Sequence, residues 1–249
     1  MSPGHCFDRW PRAAPLGRLY TWLNSVPGAM VYNTPAFKLH EELQLHAENH
    51  VLDIGCGRGA LLQLLTSRVQ FRRPPVGIEV SRLMLDRARE HGSQYCRASG
   101  ACLPFADGSF DVILCGHATR QFDHEGFLEL LREIRRVLSP GGIAILWDFA
   151  PTRSKPLNAF HARVLGLLGS GSEVRSYTTL SAYALEAGFE WVSNAHLRPF
   201  LFPPIPRASI ITGKAPIGWQ PPDVAEALSP DTRARSIVAG VTRETLHEQ

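Results

Sequence analysis

The sequence predicts an α/β fold with a doubly wound, mostly parallel sheet of seven strands, helices on both faces and an antiparallel edge strand. Short apolar runs alternate with longer amphipathic runs from about residue 48, a rhythm typical of β-α-β units. The short runs are rich in Val, Ile and Leu, as expected of parallel strands that are buried on both faces. The last two runs flank a proline-rich turn, which favours an antiparallel pair at one edge of the sheet.

The seven strands are placed by their apolar runs and by the turn residues between them. The first leads into a glycine-rich turn, and the fifth begins at the end of Pro140-Gly141-Gly142. The sixth and seventh lie on either side of the turn at residues 199–206. In chain order, the predicted strands are residues 50–54, 75–79, 94–98, 111–115, 142–148, 190–196 and 208–213.

Apolar residues at helical spacing place helices between these strands. The clearest helix begins near Asp123, and its arginines, among them Arg136, lie opposite the apolar stripe, so we expect a solvated basic face. Gly188 follows the last predicted helix at the C′ position, where a left-handed residue commonly ends a helix. The predicted helices are residues 61–69, 123–139, 157–168 and 180–187.

Length and composition exclude several classes of protein. The chain has 249 residues, of which 44% are hydrophobic and 20% charged, so it is neither disordered nor collagen-like. A chain of this length buries enough surface to be stable without disulfides or a structural metal. Its 26 Lys and Arg against 23 Asp and Glu give a formal charge of +3, which does not indicate a polyanionic partner such as nucleic acid.

The cysteines and the apolar segments predict a cytoplasmic protein. Five cysteines, with no C-x-x-C pair, indicate reduced thiols rather than a disulfide framework or a zinc site. Prolines interrupt the first fifteen residues, and no segment reaches about 18 consecutive apolar residues, which argues against a signal peptide and a membrane span. We therefore expect no metal site and no stable membrane insertion.

The strongest local signal is the turn Gly55-Cys56-Gly57-Arg58-Gly59 between the first strand and the first helix. Glycines let the backbone turn sharply and approach a ligand, and the helix behind them begins with free N–H groups. Glu79 ends the next strand, 20 residues beyond Gly59, where a carboxylate can accept both hydroxyls of a ribose. Asp53 precedes the glycines by two residues and suits a ligand with a cationic end.

Two further motifs follow in order, Leu103-Pro104-Phe105-Ala106-Asp107-Gly108-Ser109-Phe110-Asp111 and Arg136-Val137-Leu138-Ser139-Pro140-Gly141-Gly142. Together with the glycine turn and the acidic strand end, they resemble the class I S-adenosylmethionine-dependent methyltransferases. The similar branch acts on small molecules and includes the ubiquinone and menaquinone C-methyltransferases. The resemblance covers residues 48–150 and continues as topology to about residue 213. It implies a Rossmann-like fold and S-adenosylmethionine as cofactor.

The resemblance also implies a role for individual residues around that cofactor. Glu79 would hold the ribose, and Cys115 would offer its backbone carbonyl to the amino group. Ser99 departs from the family, which usually has an acidic residue there, and a hydroxyl accepts more weakly from the adenine amine than a carboxylate does. The Cys115 thiol itself is expected to be an inert packing group. The implied cofactor residues are Asp53, Gly55, Cys56 and Gly57 near the methionine moiety, Glu79, Val80 and Met84 near the ribose and adenine, Ser99, Gly100 and Ala101 at the adenine edge, and Cys115.

His117, two residues past the fourth predicted strand, is the candidate general base. Its ordinary pKa of about 6.5 suits proton transfer near neutral pH. A base is needed only if the acceptor loses a proton, and His117 could equally be a wall residue of the pocket. His161 and Tyr177 are weaker candidates.

The domain organisation predicts a methyltransferase domain at residues 48–214 between two further segments. Residues 1–47 are rich in aromatic residues and would form a lid suited to a small, lipophilic or aromatic acceptor. Residues 215–249 would be a weakly helical or mobile tail. The four residues after the fourth predicted strand lack the Asn/Asp-Pro-Pro-Tyr/Phe sequence of nucleic acid amino-methylating enzymes, so we expect a small-molecule partner and no nucleic acid. The oligomeric state stays open, with a homodimer as one option.

Two other functions remain open at this point. The turn also fits the dinucleotide pattern G-x-G-x-x-G/A, which a nicotinamide-dependent oxidoreductase would use, although no catalytic Tyr-x-x-x-Lys follows. The second alternative is a non-catalytic protein that binds S-adenosylmethionine, which the departure at Ser99 keeps open.

Overall fold

A computed structural model of the chain describes residues 43–89, 93–167, 173–195 and 206–216, with residues 164–167 described by their backbone alone. The predicted lid therefore lies outside the described residues except for residues 43–47. The predicted tail lies outside them except for residues 215 and 216. The lid and the tail both remain predictions.

Seven strands and five α-helices make up the described part of the chain. In chain order they are β1 Val51–Ile54, α1 Ala60–Thr66, β2 Val76–Glu79, α2 Arg82–Ala88, β3 Gln94–Arg97, β4 Phe110–Gly116, a 3₁₀ turn at Thr119–Gln121, α3 His124–Val137, β5 Leu138–Phe149, α4 Lys155–Leu167, α5 Tyr177–Glu186, β6 Trp191–Asn194 and β7 Arg207–Gly213.

The strands form one sheet in the order β3-β2-β1-β4-β5-β7-β6. The pairs from β3 across to β5 are parallel, whereas β7 runs antiparallel to both of its neighbours, β5 and β6. The sheet reverses its winding between β1 and β4, and open α/β sheets bind ligands at the carboxyl ends of strands beside such a switch point. The predicted seven-stranded sheet with an antiparallel edge is confirmed.

Helices cover both faces of the sheet, because successive side chains of each buried strand point to opposite sides. One core contains Leu52 and Ile54 of β1 with the apolar sides of α3 and α5. The other contains Val51 of β1 with Leu62 and Leu65 of α1. No helix in the described ranges is long and apolar enough to cross a membrane.

Two helix ends show why the chain turns where it does. Asp123 caps α3, since its side chain accepts a hydrogen bond from the N–H of Gly126 at 2.9 Å. At the end of α5, Gly188 has φ 93° and donates to the carbonyl of Leu185 at 3.0 Å, while Phe189 donates to Ala184 at 3.1 Å. This pair of bonds is a Schellman motif and confirms Gly188 as the C′ residue.

The expectation that the α3 arginines face solvent is wrong for Arg136. Its guanidinium donates to the carbonyls of Leu103 at 2.9 Å and Phe105 at 2.7 Å, and it pairs with Asp107 at 2.8 Å. Glu133 completes the group by accepting from the N–H of Leu103 at 2.7 Å. The carboxyl end of α3 is thereby tied to the loop that precedes β4, so the last two sequence motifs are in contact.

Candidate cofactor and acceptor site

The glycine turn leaves β1 at the switch point and is bonded to the neighbouring strand. The N–H groups of Gly55 and Cys56 both donate to the carbonyl of Ile78, at 2.9 and 3.0 Å. Gly55 has φ 73°, and a Cβ at this position would lie 2.7 Å from the Cβ of Ala118. Only glycine fits here, because the turn is left-handed and presses against the segment that follows β4.

Glu79 ends β2 beside this turn. Its carboxylate accepts from the N–H of Gly57 at 3.1 Å and from the N–H of Ser81 at 2.9 Å. The side chain is therefore held by backbone groups from two loops. A carboxylate fixed in this way presents its remaining lone pairs at the carboxyl end of the sheet.

Asp53, one residue before the end of β1, is 3% exposed. Burial and, to a lesser extent, the negative charge of Glu79 together raise the pKa of its carboxyl to about 7. A cationic group placed here would favour the ionised carboxylate. S-adenosylmethionine fits this arrangement, since Asp53 matches its cationic end and Glu79 matches a ribose.

The residues expected near the adenine follow β2 and β3 in the chain. Met84 is buried on α2, whose first turn is capped by Ser81. The Ser99 hydroxyl accepts from the N–H of Ala101 at 3.3 Å, and a Cβ on Gly100 would lie 2.7 Å from the Leu130 side chain. Val80 is half-buried. Their roles toward a nucleotide remain predictions.

Both cysteines of the expected site are poor nucleophiles. Burial, followed by the charges of Asp53 and Glu79, raises the pKa of the Cys56 thiol well above its ordinary value. Burial, followed by the charges of Asp148 and Asp53, does the same for Cys115. Nucleophilic attack needs a thiolate, so neither thiol is suited to covalent chemistry.

His117 lies directly after β4, at the carboxyl end of the sheet. Its side chain is 11% exposed and its backbone has φ 58°, a left-handed value uncommon for a residue with a side chain. Burial lowers the pKa of the imidazole to about 4, which outweighs the opposing effect of Asp148. The ring is therefore neutral at pH 7, but it is a weaker base than the ordinary imidazole assumed from the sequence for a general base. His161 is buried on α4 and Tyr177 packs against the core at the start of α5.

A buried polar network beside His117 was not predicted from the sequence. Asp148, near the end of β5, is 2% exposed and binds Thr119 and Arg120, both from the 3₁₀ turn. Arg175, 5% exposed, donates to the carbonyls of Thr119 at 2.8 Å and Phe122 at 2.7 Å. The available signal was Asp148 itself, a lone carboxylate in an otherwise apolar strand.

Metal ligands are not grouped in this site. The described residues contain no group of three or more His, Cys, Asp or Glu side chains that could hold a metal ion.

Comparison with known proteins identifies the family. A family model for a methyltransferase domain matches residues 51–142. A 2-phytyl-1,4-naphtoquinone methyltransferase of Thermosynechococcus vestitus is 31% identical over 175 residues, which cover 61% of this chain and 77% of that protein. The chain belongs to the methyltransferase-domain family. This confirms the resemblance drawn from the four sequence motifs.

Other members of the methyltransferase family are similar at lower identity. A 24-methylenesterol C-methyltransferase of Arabidopsis thaliana is 28% identical over 200 residues, or 73% of this chain. The chain spans about half of that relative's length, 53%. The chain is also similar to a crystal structure of an S-adenosylmethionine-dependent methyltransferase of Thermotoga maritima, which is described as a possible histamine N-methyltransferase. The TM-score is 0.60 and the sequence identity 20%, and the match covers 85% of this chain and 99% of that one. The structural likeness confirms the Rossmann-like fold.

Proposed function

We propose that this chain binds S-adenosylmethionine at the carboxyl ends of β1 and β2 and transfers its methyl group to a small, lipophilic acceptor. The arrangement of Asp53 and Glu79 around the glycine turn carries the proposal. One buried carboxylate suits a cationic group, and the other, held at the end of the neighbouring strand, suits the hydroxyls of a ribose. Membership of the methyltransferase family supports this function over that of a nicotinamide-dependent oxidoreductase.

The protein's contribution to the reaction is alignment and the exclusion of water. S-adenosylmethionine, when bound, supplies a methyl group that is already activated by a positive sulfur. Holding two reactants near attack distance is worth about 7–11 kcal/mol. Asp53 offsets the positive charge and Glu79 orients the ribose. His117 takes up a proton if the acceptor loses one, and its neutral ring at pH 7 is in the form that can do so.

The acceptor is proposed from the relatives and from the N-terminal sequence. Relatives are named for sterol and naphthoquinone methylation, which supports a lipophilic acceptor bearing a ring. Residues 1–47 carry Trp10, Tyr20, Trp22, Tyr32 and Phe37, which suit the lining of such a pocket. We propose that this segment is the acceptor lid, that residues 48–214 form the catalytic domain and that the protein works in the cytoplasm without nucleic acid.

Calorimetric titration with S-adenosylhomocysteine and, separately, with NAD tests the cofactor. We expect binding of S-adenosylhomocysteine only, and its loss in Glu79→Ala. The matched control is Glu48→Gln, which removes an exposed carboxylate paired with Arg72 at 2.9 Å and should bind as the native protein does. Tight binding of NAD without S-adenosylhomocysteine would contradict the proposal.

Methyl transfer is tested with labelled S-adenosylmethionine and a panel of quinols, sterols and phenols. Transfer of the label to one class of acceptor would support the proposed enzyme. If S-adenosylhomocysteine binds but no acceptor in a broad panel is methylated, the non-catalytic binding protein becomes the better description.

A further inference from the structure

Asp148 is an ionised carboxylate built into the core at the carboxyl end of β5. One oxygen accepts from the Thr119 hydroxyl at 2.8 Å and the Arg120 N–H at 3.0 Å. The other accepts from the Arg120 guanidinium at 2.6 Å and the N–H of Phe149 at 2.8 Å. Burial alone would raise the pKa of Asp148, but the charge of Arg120 and these hydrogen bonds hold it well below its usual range. Four donors also fix where the carboxylate points.

His117 is held against this carboxylate by its backbone. Its N–H donates to the carbonyl of Trp147 at 2.8 Å, which ties the left-handed residue to β5. A Cβ on the preceding residue, Gly116, would collide with the Trp147 ring, so the chain packs closely here. Backbone held in a sparsely populated conformation by its surroundings is common at functional sites. The imidazole ring lies 4.9 Å from the Phe149 ring, measured between centroids.

We propose that Asp148 is a positioning residue for His117: it keeps the proton on Nδ1 and leaves Nε2 as the basic nitrogen of the ring. Nδ1 lies 3.6 Å from a carboxylate oxygen of Asp148. That distance is too long for a hydrogen bond, so the carboxylate acts on the ring through its charge. An ionised carboxylate can only accept, and the nitrogen that faces it is therefore the protonated one.

The charges around the ring explain why a carboxylate is needed. Arg120 of the 3₁₀ turn and Arg207 of β7 both disfavour a second proton on His117, and Asp148 is the group that favours it. When the acceptor loses its proton, Nε2 receives it through the lone pair that the tautomer leaves there. The ring then carries a positive charge, which Asp148 offsets. This inference rests on the proposed function because it assigns the proton acceptor of that reaction.

Nitrogen-15 NMR of the histidine side chains in the cofactor-free protein tests the tautomer directly. The chain has ten histidines, and His117→Gln identifies the signal that belongs to His117. We expect a protonated-type signal for Nδ1 and an unprotonated-type signal for Nε2 at pH 7. The opposite pattern would overturn the proposal. This result does not depend on cofactor binding, whereas a failure of the proposed function would appear as lost binding of S-adenosylhomocysteine.

Two variants separate positioning from a purely structural role. Asp148→Asn should lose the preference for the Nδ1 proton while S-adenosylhomocysteine still binds within about threefold of native affinity, a difference of about 0.7 kcal/mol. Thr119→Val removes one donor to Asp148 but leaves the carboxylate in place, so the native tautomer should persist. An unchanged tautomer in Asp148→Asn would contradict the proposal. If that variant does not fold, the native spectrum still decides.

Discussion

Lowering the pH from about 8 to about 6 should weaken the binding of S-adenosylmethionine, because protonation of the Asp53 carboxylate competes with binding of the cation. Burial and the charge of Glu79 raise the pKa of Asp53 to about 7 in the free protein. The ionised fraction of Asp53 then falls from about nine-tenths to about one-tenth over this range.

The size of the effect follows from that fraction. If the cation requires the ionised carboxylate, affinity falls about tenfold, or about 1.4 kcal/mol, between these two pH values. The cation lowers the pKa of Asp53, so binding below about pH 7 also releases a proton. Calorimetry in two buffers of different ionisation enthalpy measures both the affinity and the released proton.

Three variants isolate Asp53 from other titrating groups. Asp53→Asn should bind S-adenosylmethionine weakly and with little dependence on pH over this range. Any dependence that remains in this variant measures the titration of the ligand's own amino group. Glu79→Gln removes the charge that raises the pKa of Asp53, so the midpoint of the pH dependence should move lower. Glu48→Gln, at the exposed site, should keep the native profile. An affinity of the native protein that stays constant from about pH 6 to about pH 8 would refute the reasoning.

Asp53 also affects stability, because its pKa is higher in the folded protein than its ordinary 3.8, so its stabilising contribution is full below about pH 4 and is lost by about pH 7. In thermal melts, the stability of Asp53→Asn relative to the native protein should therefore rise by up to about 4 kcal/mol between these two pH values. A difference that stays constant with pH would be inconsistent with a buried, neutral Asp53. Gly55→Ala should lower the free energy of unfolding by more than the roughly 1–2 kcal/mol expected for an alanine in the left-handed conformation. It should also impair binding of S-adenosylhomocysteine. Its control is Gly108→Ala, which shares a positive φ of 66° but places its Cβ 3.9 Å from the nearest atom, and equal losses in urea denaturation would argue against the close contact with Ala118. Arg175→Ala should lower the free energy of unfolding by at least about 2–3 kcal/mol, because it leaves the carbonyls of Thr119 and Phe122 without their donor. Arg135→Ala, which removes a half-exposed pair with Glu190, should lower the free energy of unfolding by less than about 1 kcal/mol. The reverse order in urea denaturation would contradict the role of Arg175 as the donor to these carbonyls.

The sheet was predictable because each strand has a local sequence signal. Apolar runs and turn residues are sufficient to locate all seven strands, and Gly188 is sufficient to end α5. The short helix α2 was not among the predicted elements. β5 begins at Leu138 rather than residue 142, because Leu138 pairs with Phe110 across an irregularity in β4.

The cofactor side of the site was easier to predict than the acceptor side. Asp53 and Glu79 lie at the ends of adjacent strands, so a sequence motif brings them together without further information. The partners of Asp148 come from 28 residues earlier in the chain, and those of Arg175 from more than 50. No local pattern encodes such pairs. The role of Arg136 was missed for the same reason, because its partners lie some 30 residues away.

The position of β7 has a consequence for how the chain is made. β7 lies between β5 and β6, so the long apolar edge of β5 has no neighbour on that side until residues 207–213 have been synthesised. An uncovered apolar strand edge is a template for aggregation. A nascent or truncated chain that stops short of Gly213 should therefore depend on a chaperone for its solubility, whereas one that extends past it can close the sheet itself.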